Sequence, residues 1–227
     1  MPAGVARLLG GRFTVLTCAL VLLATAGTTI QDKAAREIAV GLAFSVLLVF
    51  AMLTVGQQLR IATVALALPT LVSHWLLRHL ELPALRYVDF ALTTVFLAFL
   101  TLVIMITVFR DQSVTADTIV GAVCVYLLIG VTWGTAYALL ALAVPDSLSV
   151  SPALARVGHW GEPTSPFTPL LLYYSFTTLS TIGYGDVTPL STGARAVSVL
   201  EGLTGQIYLA VLVARLVGLH IARASRP

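Results

Sequence analysis

The chemistry legible in this chain sits in six consecutive residues, Thr181-Ile182-Gly183-Tyr184-Gly185-Asp186. Nothing there is arranged for catalysis. The useful groups are backbone carbonyls, acceptors that every residue carries. Gly183 and Gly185 have no Cβ and adopt backbone angles that other residues resist. Glycine at alternate positions lets successive carbonyls turn toward one axis, while Ile182 and Tyr184 point away and wedge the row against surrounding protein. Thr181 adds a hydroxyl at the inner end. One chain supplies one wall; four copies about an axis would stack rings of oxygen able to replace the water shell of a monovalent cation.

A bare Gly-Tyr-Gly would mark only a turn between helices. Here it sits in a longer frame, Tyr173-Tyr174-Ser175-Phe176-Thr177-Thr178-Leu179-Ser180 before and Val187-Thr188-Pro189 after. The whole frame closely resembles the pore loop and selectivity filter of the potassium-channel family. The resemblance implies potassium bound by Thr181, Ile182, Gly183, Tyr184 and Gly185, with Asp186 at the outer mouth. It also implies a homotetramer, because the chain carries one such loop and no internal repeat.

The same resemblance assigns support roles. Tyr173 and Tyr174 align with positions that are often Trp in the family and form an aromatic cuff. A Tyr there offers a hydroxyl, so Tyr173 is expected to bond Asp186. Tyr184 is expected to brace the filter from behind. Thr177 stands where some members carry Glu, which removes a carboxyl–carboxylate pairing with Asp186 and bears on inactivation rather than selectivity. Thr178 and Ser180 complete the support set. For Thr177 and Thr178 the alternative is bonding back to their own helix. Gly205 matches the inner-helix hinge, with close packing as the alternative.

Composition agrees with a membrane setting. Of 227 residues, 58% are apolar and 10% charged, against about 25% charged in soluble domains. The net charge of +3 is small and scattered, which argues against nucleic acid. Cys18 and Cys124 lie in apolar runs without metal or redox spacing and read as small buried thiols. No intramembrane His/Asp/Glu cluster suggests an enzyme, and no cofactor is expected beyond the permeant ion.

The expected fold is an all-α integral membrane protein: six transmembrane helices plus a re-entrant pore helix and filter loop. Apolar runs predict spans at 13–30, 38–56, 61–78, 87–109, 118–144 and 193–222. Residues 1–12 would be a cytoplasmic N-terminus, 13–109 a four-helix membrane domain, 110–222 the pore domain and 223–227 a tail, with no cytoplasmic ligand-binding domain appended. Ala24-Thr25-Ala26 resembles a signal-peptidase site, but the run before it is long for a signal peptide, which favours a retained helix. Gly56 to Arg60 is a tight turn joining two antiparallel spans. Pro69 predicts a kink in the third span, and Trp133, near mid-span in the fifth, predicts packing against a neighbouring helix. His74 and His79, five apart, are poorly spaced for a metal and read as interfacial residues beside Trp75. Residues 79–86 and 110–117 read as loops. The fourth span has no Lys or Arg between Arg86 and Arg110, so no voltage sensor is expected, and Asp89 is its one ionisable side chain apart from Tyr87.

Residues 145–165, rich in Pro, Gly and Ser, read as a surface loop. Thr168-Pro169 starts a helix over 169–179, Thr as N-cap and Pro at the first position. Too short to cross a bilayer, it implies a re-entrant loop. Its partially negative end would point at the pore centre.

Glu201 is the carboxylate deep within the last span. It is expected either to face the cavity and gather cations, or to face the pore helix and hold hydroxyls such as Ser180 or Thr177, where burial would favour the protonated acid, the second being favoured because Gly205 shares its helix face. The family orientation places both termini in the cytoplasm of a cell (plasma or inner) membrane, with Asp186 outside. Seven basic residues then fall inside and six outside, so the charges themselves do not orient the chain. The expected function is a passive potassium-selective channel whose partners are three further copies and membrane lipid. The alternatives are a weakly selective cation channel, which an acidic residue in place of Tyr184 would favour, or a non-conducting regulatory subunit. A cation transporter with several degenerate loops per chain fits poorly.

Overall fold

The computed structural model describes residues 12–29, 33–54, 57–76, 83–111, 115–157 and 168–224. Expectations placed on residues 1–11, Gln31, Gly56, Arg78, His79, Glu81, 112–114, 158–165 and 225–227 lie outside the described residues.

Long apolar sequences become long helices: α1 (Arg12–Thr29), α2 (Lys33–Thr54), α3 (Gln57–Leu76), α4 (Pro83–Arg110), α5 (Ala116–Ala143) and α8 (Thr192–Ala224). Among the described residues four stretches are long and apolar enough to cross a membrane: Leu59–Leu76, Ala84–Arg110, Ala116–Ala143 and Thr192–Leu219. The apolar stretches of α1 and α2, Phe13–Leu23 and Ile38–Ala51, are shorter. α3 runs through Pro69 as one helix. α4 starts earlier than its apolar run, because Pro83 suits the first helical turn, and it takes Arg86 out of the expected loop. Thr115 caps α5, its hydroxyl oxygen accepting the Thr118 N–H at 3.2 Å.

α1 packs against α2 and α5, and α4 against α3 and α5. Leu16, Leu20 and Leu23 of α1 are fully buried in this core with Phe44, Leu47, Phe96 and Leu128, so α1 is part of the fold rather than an appendage. Trp133 lies half-buried between this core and a second cluster of Phe90, Tyr137, Leu170, Leu171 and Tyr174. Cys124 is buried, but Cys18 is exposed on α1.

The region after α5 is more ordered than its composition suggests. Leu148–Val150 (β1) pairs antiparallel with Val187–Pro189 (β2), Ser149 opposite Thr188, and Pro152–Val157 forms a short helix, α6. A three-residue strand has no periodicity to read; pairing with a distant segment makes it.

His74 also differs from expectation, and Asp89 is its neighbour. Both are buried, and His74 Nδ1 stands 3.6 Å from Asp89 Oδ2, between α3 and α4. Ser73 donates to Asp89 Oδ1 at 2.9 Å, and the His74 ring meets Phe44 edge-on. His74 is thus a packed partner of the buried carboxyl rather than an interfacial residue.

Candidate functional site

The site is built on α7 (Pro169–Leu179), an 11-residue helix lying between α5 and α8. At its start the Thr168 carbonyl accepts from Leu171 and Leu172 N–H, and Pro169 occupies the first turn. The Thr168 hydroxyl makes no capping bond. The helix sits against two small residues of α5. A Cβ at Gly130 would stand 2.4 Å from the Phe176 ring, and one at Gly134 would stand 2.6 Å from Leu172 Cδ2. This Gly-x-x-x-Gly groove lets the helices approach as small residues do inside membranes. Ser175 fixes the register by donating to the Gly130 carbonyl at 2.7 Å.

Beyond α7 the backbone changes hand at every second residue. Thr181, Gly183 and Gly185 have φ of +59°, +54° and +78°, and the two residues between them do not share the positive sign. Such alternation aims successive carbonyls to one side of the chain. Glycine adopts it freely, whereas a β-branched Thr there carries strain of about 1–3 kcal/mol. The turn out of the helix is held by the Thr177 carbonyl, which accepts from Ile182 and Gly183 N–H at 2.9 and 3.2 Å, and by the Thr178 carbonyl, which accepts from Thr181 N–H. The Thr181 hydroxyl donates to the Ser180 carbonyl.

All five residues 181–185 are exposed within the single chain. Ile182 is 55% and Tyr184 68% exposed, and a Cβ on Gly183 or Gly185 would meet nothing within 4 Å. Tyr184 touches its own chain by stacking on Tyr173, ring centroids 6.3 Å apart and 1° from parallel. Apart from that stacking on Tyr173, both side chains remain largely exposed among the described residues.

Asp186 ends the loop and is tied three ways. Tyr173 donates to its Oδ2 at 2.6 Å, Val187 N–H to its Oδ1 at 3.0 Å, and Ser151 N–H to its carbonyl at 2.7 Å. The β1–β2 pair carries this tie into the segment after α5. The Tyr173 hydroxyl is pushed up to about 12, by desolvation first and then by the hydrogen bond to Asp186 and its charge. It therefore stays protonated and remains a donor.

Glu201 of α8 is fully buried behind α7. Its expected partners, Thr177 and Ser180, bond elsewhere: Thr177 to the Tyr174 carbonyl at 2.9 Å and Ser180 to the Phe176 carbonyl at 2.6 Å, both within their own helical turn. Its actual partners are Ser175 at 2.5 Å and Tyr137 at 2.7 Å. The middle of α7, at Ser175, and not its C-terminal end meets the carboxyl. Tyr174 joins the cluster through Ser198 at 2.7 Å and packs edge-on against Tyr137. Neither Ser175 nor Tyr137 was singled out from sequence; the available signal was a lone intramembrane carboxylate, which must find hydroxyls or a cation. Gly205 lies one turn further along α8, where a Cβ would stand 2.3 Å from the Leu179 carbonyl, so close packing alone requires glycine there.

Among the described residues no cluster of His, Cys, Asp or Glu could hold a metal ion by side chains. Residues 122–220 match the family described as "Ion channel". No curated protein and no solved structure matches the chain. The match takes in most of α5, all of α7, the loop of alternating hand and most of α8. This segment of a mostly helical chain, with four described stretches long and apolar enough to cross a membrane, is thus similar to the ion-channel family.

Proposed function

We propose that four copies of this chain surround a potassium-selective pore and conduct passively, with no enzymatic step. The observation that carries the reading is the exposed, alternately handed backbone of 181–185. A strained loop whose two large side chains stay exposed in the single chain makes sense where copies meet around an axis. There Ile182 and Tyr184 would pack on a neighbour, and the carbonyls of Thr181 to Gly185 would replace a cation's hydration shell. α7, with α5 outside and α8 inside, would be the re-entrant pore helix, its C-terminal dipole end favouring a cation below the filter. Asp186 would stand at the outer mouth, held by Tyr173. α1 to α5 and α8 would be six spans in a cell membrane, with lipid against their exposed apolar faces, the N-terminal part before α5 flanking the pore and both termini cytoplasmic. Gly205 would permit bending of α8 in addition to close packing.

Purified protein in lipid should form particles with fourfold symmetry and, in liposomes, carry a potassium flux down a gradient. Dimeric or monomeric particles without flux would refute the proposal.

A further inference from the structure

The contacts around Glu201 require one more proton than the surrounding hydroxyls possess. Ser175 Oγ lies 2.7 Å from the Gly130 carbonyl and 2.5 Å from Glu201 Oε1. The Tyr137 hydroxyl lies 2.7 Å from Oε2. Ser198 Oγ lies 2.7 Å from the Ala194 carbonyl and 2.7 Å from the Tyr174 hydroxyl. Carbonyl oxygens bring no proton, so Ser175 donates to Gly130 and Ser198 to Ala194. Tyr174 then donates to Ser198, and Tyr137 to Oε2. Leaving aside the long 3.3 Å approach of the Tyr137 hydroxyl to Ser198 Oγ, these four donations use every hydroxyl proton, and the shortest of the five close contacts, Ser175 to Oε1, still has none. An ionised carboxylate is acceptor-only and cannot supply it. If Ser175 turned to Oε1 instead, its 2.7 Å contact with Gly130 would set two acceptors against each other.

We propose that Glu201 is held as a neutral carboxylic acid, donating from Oε1 to Ser175 and accepting from Tyr137 at Oε2, and that it acts as a positioning residue pinning α7 between α5 and α8. The surroundings agree. Glu201 is completely buried, and the titratable groups around it are Tyr137 and Tyr126 of α5 and Tyr174 of α7, none of them a cation. The contact of His74 with Asp89 lies elsewhere in the fold. A buried carboxylate without a cation is costly to keep ionised. The three helices joined by the acid are the ones that set where the exposed loop begins. That second half of the inference rests on the reading of α7 as the pore helix; the protonation does not.

Infrared difference spectra of the full chain in lipid at neutral pH test the proton directly. The expected result is a carboxylic-acid C=O band that shifts on exchange into deuterated water and disappears in Glu201→Gln. Ser175→Ala should move the band, since it removes the acceptor, and this assigns it if Glu201→Gln does not assemble. A spectrum in which neither variant alters a carboxylic-acid band overturns the protonation, whatever the protein conducts. The positioning role is read in single-channel records. Glutamine keeps a donor for Ser175 and an acceptor for Tyr137, so Glu201→Gln should stay near wild type. Glu201→Ala should lower open probability by about tenfold, the equivalent of one lost hydrogen bond, at unchanged unitary conductance. A fall in unitary conductance in both variants would mean that the carboxylate faces the cavity and would overturn the role. Protein that shows the band but carries no current would leave the protonation standing and refute the channel.

Discussion

The two sides of α7 are built on opposite terms. On its far side Glu201, Ser175, Tyr137, Tyr174 and Ser198 satisfy one another within a single chain, buried and closely spaced. At its C-terminal end residues 181–185 are exposed, strained at Thr181 and almost without contacts of their own. A packed interior can be completed by one chain, because each donor needs only a nearby acceptor. A ring of carbonyls cannot, because its centre belongs to no single copy. The chain fixes the place where the loop leaves α7; on the proposed reading the loop itself would be completed by assembly.

That contrast can be broken most severely at the loop. Gly183→Ala and Gly185→Ala place a Cβ in open space within the single chain, so clashes with its own residues are not the difficulty. The positive φ is, at about 1–2 kcal/mol per copy, and carbonyls that flip to relieve it no longer face one way. Potassium current through reconstituted protein should vanish or lose selectivity, with the helices still folded by circular dichroism. Current of normal size and selectivity from either variant would show that the alternation is not needed.

Gly205→Ala attacks the packed side by the converse route. Its Cβ would meet a backbone carbonyl at 2.3 Å, which a flexible side chain cannot relieve. Overpacking of this kind costs about 1–3 kcal/mol. A lower melting temperature and poorer assembly are expected in size-exclusion thermal assays; an unchanged melting temperature would mean that α8 and α7 are less tightly apposed. Tyr173→Phe is milder. It removes one hydrogen bond to a charged group, worth about 1.5–3 kcal/mol, at the outer end of the loop, while Val187 and Ser151 still hold Asp186. Faster current decay at retained selectivity is the expected outcome, and loss of selectivity would show that Asp186 does more than close the mouth. The smallest effect expected is that of voltage. Moving one charge through 100 mV is worth about 2.3 kcal/mol, and α4 has no basic residue between Arg86 and Arg110 to move. A steep conductance–voltage curve in symmetric solutions would contradict this.

The sequence made local features visible and left the paired ones hidden. Pro169 and the short apolar run ending at Leu179 mark α7 without any knowledge of its neighbours. Gly183 and Gly185 mark the loop because glycine signals unusual backbone directly. Thr181 carries no such signal; its left-handed angle accompanies its own bond to the Thr178 carbonyl and those of Ile182 and Gly183 to the Thr177 carbonyl. The groove of Gly130 and Gly134 becomes meaningful only once Leu172 and Phe176 are seen to fill it. Ser175 and Tyr137 meet Glu201 from 26 and 64 residues away, and His74 meets Asp89 across two helices. The β1–β2 pair is likewise a long-range event in a stretch whose composition reads as loop.

The central claim is that residues 181–185 of four copies replace the hydration shell of potassium. Its most direct test is the reversal potential of purified, reconstituted protein with potassium on one side of the bilayer and sodium on the other. The account predicts a potential set by potassium, strongly displaced from zero, and abolished by Gly185→Ala. A reversal potential near zero, with intact tetramers passing sodium as readily as potassium, would contradict it.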